Sequence, residues 1–349
     1  MKKAEDYLLL MGVPGSPYTR KMLSLLRYRR IPYRLLPGGR KVAADTRRFP
    51  ARPQPRVRLL PTFYLKDENG VEQAVCDSTP LIRQFEEQFE GRSVIPSNPG
   101  LRFIDYLIED YADEWLTKAM FHYRWSYAPD IHKAGQMLAR WNNNTANEDD
   151  IAEQSKIITQ RQISRLSYVG SNALTRTTIE KSFTLFLNKL DKHLNSFSFI
   201  LGKRPSACDF AIYGQLTAMA LFDPTPAQII IETAPRVYAW TESMEDLSGY
   251  ESFDDDWMVL ECLPETLVAL LEEIGRLYLP YLVANDVAVR AGAHTLETEL
   301  DGQVWTQNPF PYQSKCLLWI KEGFADLSEQ DANLLRTQLR HTGIIELLA

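Results

Sequence analysis

The first apolar run, residues 7–13 (Tyr-Leu-Leu-Leu-Met-Gly-Val), is short and unbroken, the pattern of a strand buried on both faces. A Pro14-Gly15-Ser16-Pro17 turn follows. From 19 to 30, Met22, Leu23, Leu25 and Leu26 recur among basic residues, which predicts an amphipathic helix. Residues 33–36 predict a second strand, parallel to the first by the handedness of βαβ units. Residues 62–65 and Glu72–Val75 flank Asp67-Glu68-Asn69-Gly70, the turn composition of a hairpin. Asp77-Ser78-Thr79-Pro80 predicts a capped helix start with proline in the first turn and a helix running to about 89. Leu60-Pro61 opens the third strand, a place where a missing ladder donor is tolerated.

After a linker at 91–100 the pattern turns helical. Residues 101–127 form a long aromatic-rich segment, followed by helices at 131–141, 151–168 and 178–196. Ser206, with Asp209 three residues on, is a capping-box variant before a helix at 210–221, and 235–247 reads as a short helix. Beyond 250, residues 264–283 are helical, 295–300 and 303–307 form a hairpin about Asp301-Gly302, and 314–327 and 328–341 are closing helices. The expected division is 1–92, 101–249 and an extension at 250–349 packed on the helical part. The first part, βαβ then ββα, resembles an α/β thioredoxin-like domain; the second is all-α.

Composition narrows the function classes. A 349-residue chain that is 45% hydrophobic and 24% charged has ample material for a globular core. The net charge of -6, from 39 basic and 45 acidic residues, argues against a general nucleic-acid binder. No apolar run approaches ~20 residues, so no transmembrane segment is expected, and the first residues show no signal peptide. Cys76, Cys208, Cys262 and Cys316 lie far apart without a CxxC, which fits reduced thiols in a cytoplasm. The five histidines form no HExxH-like cluster, so no metal is expected.

Four stretches carry a family resemblance: Gly15-Ser16-Pro17-Tyr18-Thr19-Arg20, Leu60-Pro61, Asp77-Ser78, and residues 201–213 with Ser206 and Asp209. Together they resemble the glutathione transferase superfamily over residues 7–247. They correspond to the active-site turn after the first strand, a cis-proline step, the acidic-residue-plus-serine pair opening a helix, and the buried capping box of the helical domain. The extension goes beyond a standard transferase.

The resemblance implies glutathione as co-substrate. Ser16 stands where serine-type transferases keep a catalytic serine and related reductases keep a cysteine. A hydroxyl donor at a helix N-terminus favours a thiolate over a thiol that otherwise titrates near ~8.5. Tyr18 and Thr19 are lesser candidates for that hydroxyl. Leu60, beside Pro61, would pair its backbone with the cysteinyl part, Ser78 would bind the γ-glutamyl carboxylate, and Asp77 its amino group. The basic run at 39–58, with Arg40, Lys41, Arg47, Arg48, Arg52, Arg56 and Arg58, stands where the family approaches the glycyl carboxylate. The aromatic segment at 115–127 would face the acceptor, with Tyr18, Tyr123 and Arg124 as acceptor-site candidates. Ser206 and Asp209 are structural.

The expectation is a cytoplasmic, homodimeric glutathione transferase-like enzyme that adds glutathione to a small, apolar electrophile. The alternative is a non-catalytic binding or scaffold protein of the same fold, as in metaxin-like proteins.

Overall fold

The computed structural model describes residues 7–38 and 50–348. Arg40, Lys41, Asp45, Arg47 and Arg48 lie outside the described residues. Strand β1 (Leu8–Gly12), helix α1 (Pro17–Tyr28) and strand β2 (Tyr33–Pro37) form the first βαβ unit. Strands β3 (Thr62–Lys66) and β4 (Glu72–Val75) and helix α2 (Ser78–Gln88) follow. The sheet order is β2-β1-β3-β4, with β1 parallel to β2 and antiparallel to β3. The hairpin places Tyr64 opposite Ala74. Leu10, Leu25, Leu26, Phe63, Ile82 and Phe85 are buried where the two helices meet this sheet.

Eight helices come next: α3 (Pro99–Tyr111), α4 (Thr117–Ser126), α5 (Ala128–Asn142), α6 (Glu148–Ile163), α7 (Arg176–Leu194), α8 (Ala207–Met219), α9 (Pro224–Thr233) and α10 (Pro235–Ser243). The segment expected to be one helix at 101–127 is interrupted by a turn of π-helix, Ala112–Leu116, between α3 and α4. The 151–168 helix stops at Ile163, and a separate 3-10 turn covers Leu166–Val169. Helix α9, which opens on Pro224 with Pro226 in its first turn, is not among the helices expected from the sequence.

The remainder holds α11 (Glu265–Glu273), a second π turn (Ile274–Tyr278), α12 (Leu279–Arg290), the hairpin β5–β6 (Leu296–Leu300, Gln303–Gln307), α13 (Pro311–Ala325), α14 (Glu329–Gln338) and α15 (Ile344–Leu348). Its side chains share one apolar core with α3, α4, α7 and α8. Trp115 packs against Tyr281 at 5.5 Å and Trp305 at 5.2 Å between ring centres, and Phe103 against Phe324 at 5.4 Å. Among the described residues no helix is long and apolar enough to cross a membrane.

Helix α8 is buried along its whole length and carries the capping box. The Asp209 carboxylate accepts from the Ser206 N–H at 2.9 Å, the Ser206 hydroxyl at 3.0 Å and the Ile200 N–H at 2.9 Å. Three donors compensate an acid whose pKa burial raises to about 6. Helix α1 lies directly against α8. A Cβ on Gly214 would stand 2.7 Å from the Pro17 carbonyl oxygen and 3.1 Å from Lys21 Cβ. The glycine therefore permits the close approach that brings the start of α1 and Lys21 into the interior.

Candidate functional site

Ser16 is the N-cap of α1, and its hydroxyl oxygen accepts the Thr19 N–H at 3.2 Å, satisfying one of the free donors of the first turn. Pro17 at the first helical position loses nothing by lacking an N–H. The Ser16 hydroxyl donates to the Leu60 carbonyl oxygen at 3.2 Å. The Leu60-Pro61 bond is cis. The turn after β1 and the entrance to β3 are thus joined through the two residues singled out in the sequence.

Asp77 holds φ 92, ψ 110, uncommon for a residue with a Cβ and a conformation that recurs at ligand sites. It stands at the N-cap of α2 but makes no side-chain cap bond there. Its carboxylate instead accepts the Tyr312 hydroxyl of α13 at 2.9 Å. Ser78 begins α2, and its hydroxyl oxygen accepts from Lys21 Nζ at 3.1 Å. The serine proton is thereby left to donate, and a cation stands behind it.

Lys21 is a fully buried lysine. Its ammonium also binds Glu109 at 2.8 Å and Asp113 at 2.6 Å, and Arg83 binds the other Glu109 oxygen at 2.6 Å. Burial works against the Lys21 charge, but the two carboxylates outweigh it and its pKa is raised. Glu109 is equally buried, yet Arg83 and Lys21 hold it down at about 2. Asp113 shares only Lys21, so burial prevails and its carboxyl rises to about 6.

Leu60, Pro61, Asp77, Ser78 and Tyr18 line one cavity of about 820 Å³ between the sheet and the helices. Tyr18 donates to the Asp113 carbonyl oxygen at 2.7 Å. Asp110, Glu114 and Lys118 line the cavity too, and Phe310, Tyr312, Gln313 and Trp319 of the extension close one side. Exposed Val57, Leu59, Tyr168, Phe310 and Trp319 give it an apolar rim.

The structure does not bring Tyr123 or Arg124 to this cavity. Tyr123 stacks on Tyr127 at 5.6 Å and tilts against Phe183 at 5.4 Å, inside the helical core. Arg124 pairs with buried Asp223 at 2.9 Å and donates to the Gly15 carbonyl oxygen at 3.4 Å. It braces the Ser16 turn from behind. Arg52, of the basic run, pairs with Glu72 and lies over the Tyr64 ring, while Arg56 and Arg58 are exposed.

Burial raises Asp105 and Asp110 to about 7 and Glu114 to about 8. From about pH 5.5 to 7.5 the folded protein keeps protons on carboxyls that in the unfolded chain titrate near ~4. Where the folded state binds more protons, stability falls as pH rises. Lys118, lowered by burial to about 7, His193, lowered by burial to about 4, and His122, also lowered by burial, act in the opposite sense but are outnumbered once Asp113 and Asp209, which burial raises to about 6, are added. The urea midpoint is therefore expected to be lower at pH 7.5 than at pH 5.5, with a shallower slope in Glu114→Gln; a midpoint that climbs across this window contradicts it.

The family model described as the N-terminal domain of glutathione S-transferase matches residues 10–93. This segment belongs to the glutathione S-transferase superfamily. Within this glutathione S-transferase domain lie Ser16, Leu60-Pro61 and Asp77-Ser78. No curated protein matches the chain. Among solved structures, a glutathione S-transferase of Methylobacterium radiotolerans in complex with glutathione sulfonate is 15% identical, covering 74% of this chain and 98% of its own at a TM-score of 0.40. A Tau class glutathione S-transferase from mango is 15% identical, covering 69% of this chain and 89% of its own at 0.40. A Pseudomonas putida glutathione transferase with glutathione disulfide bound is 12% identical, covering 69% and 87% at 0.38.

Several residues around this cavity escaped the sequence. Lys21 reads as one more basic residue of an amphipathic helix. The acids Glu109, Asp110, Asp113 and Glu114 recur at helical spacing within an otherwise apolar, aromatic segment, and that polar stripe was the available signal.

Proposed function

We propose that the protein binds glutathione along Leu60, Asp77 and Ser78 and adds its sulfur to an apolar electrophile. The observation that carries this is the convergence of Leu60-Pro61, Asp77, Ser78 and Tyr18 on one cavity, with Ser16 one hydrogen bond from Leu60. Ser78 keeps a proton for the γ-glutamyl carboxylate because Lys21 occupies its oxygen. Asp77 takes the amino group. Ser16 turns its proton from the Leu60 carbonyl to the sulfur, and the N-terminus of α1 favours the thiolate. The apolar rim admits the electrophile. A homodimer belongs to the same proposal, and a monomer in sedimentation velocity removes it. Calorimetric titration with glutathione tests the whole: saturable binding at millimolar ligand supports it, and its absence sinks it.

The Tyr312–Asp77 bond favours a second reading, a non-catalytic binding or scaffold protein, because the extension occupies the carboxylate that the amino group needs. The two readings separate with Tyr312→Phe. A competing hydroxyl is worth about 1 kcal/mol, so under the enzyme reading the variant binds glutathione about fivefold more tightly. Unchanged, absent binding in both proteins, with capture of a macromolecular partner from extract, supports the scaffold.

A further inference from the structure

Lys118 takes no part in thiol addition. It stands one helical turn beyond Glu114, is 2% exposed, and lines the same cavity. Its Nζ donates to the Tyr281 hydroxyl at 3.1 Å, the Gln307 Oε1 at 3.2 Å and the Val169 carbonyl oxygen at 3.4 Å. The rings of Tyr281, Trp305 and Trp115 surround it at 4.4, 5.8 and 6.0 Å. All three acceptors are neutral, and among the described residues it makes no ion pair. Lys21, by contrast, is held charged by two carboxylates.

A buried lysine without a counter-ion gives up its proton readily. The neutral amine has two protons for its three acceptors, so it keeps the shorter bonds to Tyr281 and Gln307 and frees its lone pair where the longest, to the Val169 carbonyl at 3.4 Å on the cavity wall, is given up. Of the titratable groups around it, Glu114 acts on it from the π turn that precedes α4, and Tyr281 of α12 faces it as a neutral phenol. Burial lowers Lys118 to about 7 and raises Glu114 to about 8. Near neutral pH one cavity therefore presents a free amine and a protonated carboxyl, the pair that imine formation needs.

We propose that Lys118 captures an apolar aldehyde or ketone in this cavity as an imine, with Glu114 as the acid that releases water. The amine lone pair attacks the carbonyl carbon. A C–N bond forms, the π pair moves to oxygen, and the nitrogen proton passes to that oxygen to give a carbinolamine. Glu114 protonates the hydroxyl, the C–O bond breaks, and water leaves as the nitrogen pair forms C=N. The remaining N–H proton returns to Glu114. Amine and carbonyl become imine and water, and no oxidant or reductant is required. The carbonyl compound is apolar because Val57, Leu59, Phe310 and Trp319 stand exposed at the rim.

The test uses the whole chain without glutathione, so it stands apart from the transferase reading. Decanal and cyanoborohydride are added at about pH 7, and reduced adducts are located by peptide mass spectrometry. Lys118 is expected to label at least about a hundredfold faster than exposed Lys156, because an ordinary lysine is almost fully protonated there. Labelling no faster than Lys156 overturns the proposal in the wild-type protein, whatever the variants do. Lys118→Arg is expected to abolish the fast phase; a fast phase that survives in it also overturns the proposal. Glu114→Gln is expected to slow labelling about tenfold or more, and equal rates remove Glu114 from the step.

Discussion

Lys21→Met is expected to destabilise the protein by about 3–5 kcal/mol, the range for removing one partner of a buried ion pair. Lys21 is fully buried, and its ammonium touches Glu109, Asp113 and Ser78 at 2.8, 2.6 and 3.1 Å. Methionine fills similar space but leaves Asp113 without a cation, and Glu109 with Arg83 alone. The pH dependence shows the same cluster. Glu109 sits near 2, below its unfolded value, so its contribution is present above about pH 4.3 and is lost as pH falls through about 2. Lys21→Met weakens that acid-side contribution. Urea unfolding at neutral pH measures the loss, and a loss below about 1 kcal/mol contradicts this account. The same substitution removes the cation behind Ser78, so glutathione affinity is expected to fall with stability.

Ser16→Ala is expected to lower turnover on the order of 10²-fold, the usual scale for deleting one donor that stabilises a developing or held anion. Glutathione affinity is expected to change little, because Leu60, Asp77 and Ser78 carry the binding contacts. Stability falls by about 1 kcal/mol, since the Thr19 N–H loses its cap. Neighbouring hydroxyls do not replace Ser16. Tyr18 is committed to the Asp113 carbonyl at 2.7 Å, and the Thr19 hydroxyl is buried without a partner. Ser16→Thr restores the hydroxyl and is expected to recover much of the turnover. Steady-state kinetics with a model electrophile decide it: equal turnover in the alanine variant removes Ser16 from the mechanism.

The features that were legible in the sequence are those with local causes. The Asp67–Gly70 turn, the Ser206/Asp209 box and the proline at the entrance of β3 each act over a few residues, and each appears where expected. The acceptor wall was misplaced for a structural reason. The segment 101–127 has the period of one α-helix, but the π turn at Ala112–Leu116 inserts an extra residue. One residue rotates everything after it by about 100° around the axis. Tyr123 and Arg124 consequently face the helical core and the Ser16 turn rather than the cavity, which the acids of the π turn line instead. Tyr312 was not legible at all. It reaches Asp77 across 235 residues of sequence, and no local pattern marks such a contact.

The extension also changes the meaning of the aromatic residues. Trp115 reads as a wall for a ligand, but Tyr281 and Trp305 pack on it, and it becomes the junction between the helical core and the hairpin. What remains for a ligand is an apolar mouth over an acidic floor.

The most direct test of the central claim is the electron density of a crystal soaked with glutathione. The account predicts the tripeptide extended along Leu60, its γ-glutamyl end at Asp77 and Ser78, and its sulfur within hydrogen-bond distance of Ser16 Oγ. An empty cleft, or glutathione bound away from Ser16 and Leu60, would contradict it.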